Sequence, residues 1–126
     1  MSGLSHVSIG VNDVQRAKVF YDPLMKIVGL RVRQADEESV DYGNDGLVFS
    51  LETPVDRRVA TPGNGVHIAF AAPDRATVDA FYREALRLGG RDAGAPWLRP
   101  QYSSTYYGAF VFDLDGNKIE AVTGNN

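Results

Sequence analysis

The segment LSHVSIGVNDVQRAKVFYDPLMKIVGL, residues 4–30, has a counterpart in NGVHIAFAAPDRATVDAFYREALRLGG, residues 64–90. At an offset of 61 positions the identical pairs are His6 with His67, Asp13 with Asp74, Phe20 with Phe81, Tyr21 with Tyr82, and Gly29 with Gly90. Similarity at one fixed offset indicates that the chain contains two copies of a single supersecondary unit. This repeat decides the predicted fold, and the rest of the sequence is interpreted around it.

Both copies begin with the pattern of a strand and continue with that of a helix. In the first copy, branched apolar residues such as Val7 and Ile9 alternate with small or polar ones, as they do in a half-buried strand. Asp13 and Asp74 occupy the positions of helix N-caps. Glycines that can end the two helices stand at Gly29 and at Gly89–Gly90. Pro23 lacks an amide hydrogen and is expected to kink the first helix or to end it early.

Further strand patterns follow each helix. LRVRQ, SVDYG and GLVFSLE predict three strands in the first copy, and YYGAFVFDLDGNKIEAV predicts two strands around the turn DLDG in the second. The segment RDAGAPWLRPQYSSTYY, residues 91–107, is interpreted as loop-like because it is rich in Gly, Pro and Tyr. We therefore predict an α+β fold of two βαβββ modules, which form an open, curled mixed sheet with the helices on its outer face. The modules span about 3–53 and 64–124 of a single domain, 1–126, and residues 53–63 link them.

Composition narrows the possible functions. The chain of 126 residues has a net charge of −3, no basic stripe and no cysteine, which argues against nucleic-acid binding, a disulfide framework and a thiol nucleophile. Polar residues from Asn12 onward interrupt the N-terminal apolar pattern, so we expect no signal peptide, and the longest apolar run, VHIAFAA, is far too short to span a membrane. A cytoplasmic protein that binds a small molecule is expected.

Strand parity brings three possible metal ligands to one face of the predicted sheet. His6 and His67 alternate with the branched apolar residues that a helix would cover, and Glu120 has the same orientation if Ile119 packs under the helix. Two imidazoles and a carboxylate bind Fe(II), Mn(II), Zn(II) or Ni(II) and leave coordination positions open. A single strand histidine is more often structural, but both histidines of this chain fall at equivalent repeat positions.

A fourth position follows from the repeat. The predicted turns align at an offset of 70, which places Ser50 at the position equivalent to Glu120. Serine is a poor ligand for these metals, so we expect Ser50 to face the bound ligand instead. Glu52 lies two residues further on the same face and is a candidate catalytic base.

The arrangement resembles the vicinal oxygen chelate superfamily, which includes glyoxalase I, bleomycin resistance proteins, extradiol dioxygenases and fosfomycin-modifying thiol transferases. The resemblance is carried by HVSIGVNDVQRAKVFYDPL, GVHIAF and DLDGNKIE, and it covers nearly the whole chain. It implies two βαβββ modules, a homodimer, and one divalent metal ion held by His6, His67 and Glu120. It also implies that the metal acts as a Lewis acid on two neighbouring oxygens of the substrate. Glu120, together with the candidate base Glu52, would supply the catalytic carboxylates. Ser50 departs from the carboxylate that glyoxalase I has at this position.

The segment between the second helix and the last two strands supplies the expected pocket wall. Aromatic rings with polar groups, and a cation for a carboxylate or phosphate, suit the binding of a small ligand. The candidates are Trp97, Arg99, Tyr102, Tyr106 and Tyr107. The same aromatic residues could instead pack in a dimer interface. Two function classes are therefore open: a metal-dependent lyase, isomerase or dioxygenase, and a metal-free protein that sequesters an aromatic or drug-like ligand.

Overall fold

The computed structural model describes residues 3–124 of the chain. The chain divides into two compact units, residues 1–61 and 62–126. No helix among the described residues is long and apolar enough to cross a bilayer. The two units are described in turn because each has its own sheet and its own core.

Each unit is one helix and one four-stranded mixed sheet. The first contains β1 (Val7–Gly10), α1 (Val14–Ile27), β2 (Arg31–Ala35), β3 (Ser39–Gly43) and β4 (Leu47–Glu52). The second contains β5 (His67–Ala71), α2 (Arg75–Arg87), β6 (Arg91–Leu98), β7 (Tyr107–Phe112) and β8 (Lys118–Thr123). The strand orders are β1-β4-β3-β2 and β5-β8-β7-β6, with β1 parallel to β4 and β5 parallel to β8. The predicted α+β class with two βαβββ modules is confirmed.

The strand registers reproduce the sequence repeat residue by residue. Ser8 pairs with Ser50 in the first sheet, and Ala69 pairs with Glu120 in the second. These two pairs are related by the offsets of 61 and 70 that align the first strands and the last hairpin turns. Ser50 and Glu120 are therefore structurally equivalent, as the sequence predicts.

The helix caps agree with the sequence at both ends. Asp13 accepts a hydrogen bond from the amide of Arg16 at 3.0 Å, and Asp74 accepts one from Thr77 at 2.8 Å. Such a cap contributes about 1 kcal/mol. α1 has 14 residues and α2 has 13, and the glycine with a left-handed φ after α2 is Gly89, not Gly90. The second helix thus ends one residue earlier than the offset of 61 implies.

Two expectations differ in part from the structure. α1 does not end early at Pro23, because its last turn continues to Ile27 and is held against the sheet by Leu24 and Met25, which are both completely buried. The segment 91–107 is not wholly loop-like, because its first half forms β6 and pairs with β7. The pairing is irregular on both sides of Gly94, whose φ of 151° few other residues adopt, and this irregularity weakened the strand pattern in the sequence.

The helix covers one face of each sheet. In the first unit, Phe20 and Leu24 of α1 are buried together with Phe49 and Leu51 of β4. In the second unit, the buried residues are Val78, Phe81 and Ala85 of α2, Phe70 of β5, Val111 of β7 and Ile119 of β8. Each large apolar side chain buried in this way contributes about 1.5–3 kcal/mol. The strand residues of the other parity point to the opposite face, where the predicted site lies.

Candidate functional site

The candidate site lies on the side of the second sheet that α2 does not cover, which we call the open face. The residues of this face form three rows across the strands. The register places His67, Lys118, Phe112 and Arg91 side by side across the four strands. The next row is Ala69, Glu120, Phe110 and Gly94, and the third is Ala71, Val122, Gly108 and Trp97. Residues in one row share a face because paired strand residues point the same way.

Glu120 is the centre of this face. Its side chain is fully buried although it belongs to the side without a helix. One carboxylate oxygen, Oε1, lies 3.1 Å from Nε2 of His67, and the other, Oε2, accepts a hydrogen bond from the Tyr106 hydroxyl at 2.5 Å. A buried carboxylate is costly unless each oxygen has a partner, and here both oxygens have one.

Gly108 makes room for this carboxylate. A Cβ atom at position 108 would lie 2.7 Å from Oε2 of Glu120 and 3.2 Å from Cε1 of Tyr106. The first distance is shorter than real Cβ contacts, so any larger residue would displace the carboxylate or the tyrosine. The absence of a side chain at position 108 is therefore part of the site.

A cavity of about 230 Å³ adjoins the Glu120 carboxylate and is mostly aromatic. We call it the inner cavity; its lining residues are His67, Tyr102, Tyr106, Phe110 and Glu120. The rings of Tyr102 and Tyr106 are 4.9 Å apart, and His67 meets Phe110 edge to face at 5.8 Å. Burial, together with the hydrogen bond to Glu120, raises the pKa of Tyr106 well above its ordinary value, so its hydroxyl is a stable donor at neutral pH.

The other aromatic candidates lie elsewhere. Trp97 is 71% exposed, at the rim of the open face. Tyr107 does not line the inner cavity; its hydroxyl donates to Asp79 of α2 at 2.6 Å, and Arg75 lies over its ring. Tyr107 was predicted to line the pocket together with Tyr106, but Tyr107 begins β7 and meets α2, whereas the preceding loop sets the position of the Tyr106 ring.

Arg99 fastens the loop that carries Tyr102 and Tyr106. Its guanidinium donates to the carbonyl oxygens of Ala95 at 2.6 Å and Gly108 at 3.3 Å, and its backbone amide donates to the carbonyl of Tyr106 at 2.7 Å. The guanidinium also lies 5.4 Å from the centre of the Phe110 ring. Arg99 therefore holds the tyrosine loop against the sheet.

The first unit holds the remaining candidates. His6 is exposed and directly precedes β1, with its Nδ1 3.0 Å from the hydroxyl oxygen of Ser5. Ser50 is buried and donates a hydrogen bond to Oε2 of Glu52 at 3.0 Å. Ser50 thus occupies the position of Glu120, as predicted, and orients the neighbouring carboxylate.

The pair formed by His67 and Glu120 fits one edge of a metal site. Two ligand atoms bound at right angles to one ion at about 2.1 Å are about 3.0 Å apart, close to the 3.1 Å found here. Within residues 3–124, however, no three side chains of His, Asp or Glu cluster closely enough to hold an ion. The structure thus pairs two of the three predicted ligands and leaves His6 as an expectation from the repeat.

Several residues of the site were not assigned a role from the sequence. Strand parity places Gly108, Phe110 and Lys118 on the same face of the second sheet as His67 and Glu120. This parity was the signal in the sequence that could have identified them as residues of the site. The hydrogen bond from Tyr106 could not be predicted, because a loop sets the position of that ring.

The comparisons with known proteins identify the family of this fold. The sequence profile of the Glyoxalase/Bleomycin resistance protein/Dioxygenase superfamily matches residues 3–121, nearly the whole chain. The chain belongs to this superfamily. A comparison with curated protein sequences gave no significant match.

Solved structures extend the likeness to three dimensions. A glyoxalase/bleomycin resistance protein from Albidiferax ferrireducens is 35% identical, with a TM-score of 0.89 over 96% of this chain and 98% of that one. The fold is also similar to that of a putative glyoxalase from Bacillus halodurans, at 22% identity and a TM-score of 0.74 over 97% of this chain and 96% of that one. The fosfomycin resistance protein FosX from Mesorhizobium loti is 22% identical, with a TM-score of 0.68 over 99% of this chain and 94% of that one.

Proposed function

We propose that this superfamily member binds one divalent metal ion through His6, His67 and Glu120 and is an enzyme acting on a small, vicinally oxygenated metabolite. The reaction class is that of a lyase, isomerase or dioxygenase, and the metal is Fe, Mn, Ni or Zn. The observation that carries the proposal is the convergence of His67 Nε2 and Glu120 Oε1 at 3.1 Å beside a mostly aromatic cavity of about 230 Å³. His6 enters because it occupies the repeat position equivalent to His67.

Each residue of the site has a definite task in this proposal. Tyr106 donates to Oε2 of Glu120 and so keeps Oε1 directed at His67, as partners of metal-binding carboxylates commonly do. Phe110 and Tyr102 line the inner cavity and would give a planar substrate a surface to lie against. When bound, the metal would supply Lewis-acid polarisation of the substrate oxygens.

In the first unit, the position equivalent to Glu120 is occupied by an uncharged residue, Ser50. The Ser50 hydroxyl is already used by Glu52, so Ser50 adds no anionic ligand, and coordination positions are left for substrate oxygens or water. Glu52 remains our candidate for an additional catalytic base. Ser50, Trp97 and Tyr102 are proposed to contact the substrate.

A second function is favoured by the bonding of Glu120. Both of its oxygens already have partners and its side chain is fully buried, an arrangement that is stable without a metal ion. The aromatic inner cavity would then bind an aromatic or drug-like ligand without chemistry, in the manner of a sequestering protein.

Metal-linked stability separates the two proposals. Native protein that binds an ion gains about 2.7 kcal/mol of unfolding free energy at a hundredfold excess of metal over Kd. Adding Mn(II), Fe(II), Ni(II) or Zn(II) to metal-stripped protein should raise its melting temperature, because the native state holds the ligands together and the unfolded chain does not. His67→Ala and Glu120→Gln should abolish the rise. An unchanged melting temperature with all four metals would favour the sequestering protein.

A homodimer in the cytoplasm completes the proposal. β2 is an edge strand in which all five residues are exposed, and association can cover such an edge. Size-exclusion chromatography with light scattering should give twice the chain mass of 13.8 kDa. A stable monomer at micromolar concentration would reject the dimer.

A further inference from the structure

A second and larger cavity lies at the first row of the open face. Its volume is about 420 Å³, within the range of about 300–1,000 Å³ typical of small-ligand pockets. We call it the outer cavity; it is lined by residues 62–66, His67, Phe112, Gly116 and Lys118. Lys118 is the charged residue of this lining, and no carboxylate belongs to it.

The cations around this cavity have aromatic rather than acidic partners. The Lys118 ammonium lies 4.9 Å from the centre of the Phe110 ring, and the Arg91 guanidinium lies 5.0 Å from that of Phe112. Among residues 3–124, neither Lys118 nor Arg91 forms an ion pair. The acidic residue of the neighbouring row, Glu120, is occupied by His67 and Tyr106. One row of the sheet therefore carries two cations without an ion-pair partner among residues 3–124, in a chain whose net charge is −3.

These features suit a ligand that brings its own negative charge. A carboxylate or phosphate beside Lys118 would form a charge-assisted hydrogen bond, which is roughly twice as strong as a neutral one. Phe112, Pro62 and Val66 give the same cavity an apolar wall for a flat ring. Lys118 would strengthen the binding of an anionic ligand and would add little to the binding of a neutral one. The cavity should therefore discriminate between ligands by their charge.

We infer that the outer cavity binds the anionic oxygen group of an aromatic ligand and that Lys118 is the residue that recognises it. Arg91, in the same row, adds to the positive potential without lining the cavity. His67 lines both cavities, so an anchored ligand would have its other end near Glu120. Only this placement of the other end beside Glu120 rests on the proposed function. It would make the substrate an aromatic acid or an aryl phosphate.

The test uses three probes on the metal-stripped full-length chain: benzoate, phenyl phosphate and the neutral benzamide. Binding is followed by two-dimensional NMR of the backbone amides. At least one anionic probe should shift the amide signals of Val66, His67, Gly116 and Lys118, and benzamide should bind about tenfold more weakly. Whichever anion binds more tightly identifies the group as carboxylate or phosphate.

Variants assign the effect to the charge. Lys118→Met should weaken binding of the anion about tenfold and leave benzamide unaffected, while Lys118→Arg should retain most of the affinity. Lys26→Met, which removes an exposed lysine at the end of α1, is the matched control and should bind as the parent does. The NMR spectrum itself reports whether each variant is folded.

Three results would overturn the inference: equal affinities for benzoate and benzamide, amide shifts confined to residues outside the outer cavity, or unchanged binding in Lys118→Met. Because no metal is present and Lys118 is not among the proposed ligands, this outcome is independent of metal binding. Anion binding without any metal response would reject the proposed metal-dependent enzyme and support the anion site in the outer cavity. A metal response without anion binding would support the enzyme and reject the anion site.

Discussion

Replacing Tyr106 by Phe tests the bond that organises the site. The substitution removes the hydroxyl that donates to Oε2 of Glu120 and leaves the ring in place. Because Glu120 is fully buried, water cannot readily replace the lost donor. A hydrogen bond to a charged group contributes about 1.5–3 kcal/mol, so Tyr106→Phe should lower the unfolding free energy by about that amount.

The neighbouring tyrosine is a matched control. Tyr107 also donates to a carboxylate, Asp79, but that carboxylate is only half-buried and water can reach it after the change. Tyr107→Phe should therefore cost less, about 0.5–1.5 kcal/mol. Urea unfolding of the metal-stripped proteins gives both values, and the midpoint should shift without a change in slope.

A double-mutant cycle assigns the cost to the carboxylate. In the Glu120→Gln background the acceptor is neutral, so Tyr106→Phe should lower the unfolding free energy by only about 0.5–1.5 kcal/mol. If the cost of Tyr106→Phe is the same in both backgrounds, or if Tyr107→Phe is the more damaging change, the hydroxyl does not support Glu120 and our account of the site is wrong.

Three further predictions concern single positions. Gly108→Ala places a methyl group 2.7 Å from Oε2 of Glu120 and should cost about 1–3 kcal/mol in urea unfolding, with weaker metal binding by calorimetry. Burial and the hydrogen bond to Asp22 raise the pKa of Tyr42, so the stability this group contributes is complete below about pH 10 and is lost at higher pH. Alkaline unfolding should accordingly be less steep in Tyr42→Phe, and an equal slope would contradict this. Ser50→Ala should change the metal Kd by no more than about twofold, whereas a complete loss of binding would make the hydroxyl a ligand.

The fold could be predicted from the sequence because the repeated residues are ones that favour a particular backbone conformation. Aspartate caps, left-handed glycines and alternating apolar residues recur in both copies, and each is tied to a local conformation. The strand registers then followed, down to the equivalence of Ser50 and Glu120. An early end of α1 at Pro23, one of the two outcomes expected there, did not occur because packing overrides local preference. The loop predicted after α2 was wrong in its first half because the irregular strand β6 blurs the alternation.

The site was predictable only in part. Strand parity was enough to bring His67 and Glu120 together, since both lie on regular, paired strands. Parity did not separate Tyr106 from Tyr107, because the first belongs to a loop and its ring position depends on Arg99. The charge of the open face was not predicted, since Arg91 and Lys118 are far apart in sequence and share a row, on either side of Phe112, only through the register of β6, β7 and β8.

The central claim is that His6, His67 and Glu120 hold one metal ion, and metal analysis tests it most directly. Protein should be purified without chelator or affinity tag, and its metal content measured by mass spectrometry alongside His6→Ala, His67→Ala and Glu120→Gln. The account predicts about one divalent ion per chain in the parent and little in each variant. A parent that carries no metal and takes up none of the four ions, or a His6→Ala variant with full metal content, would contradict it.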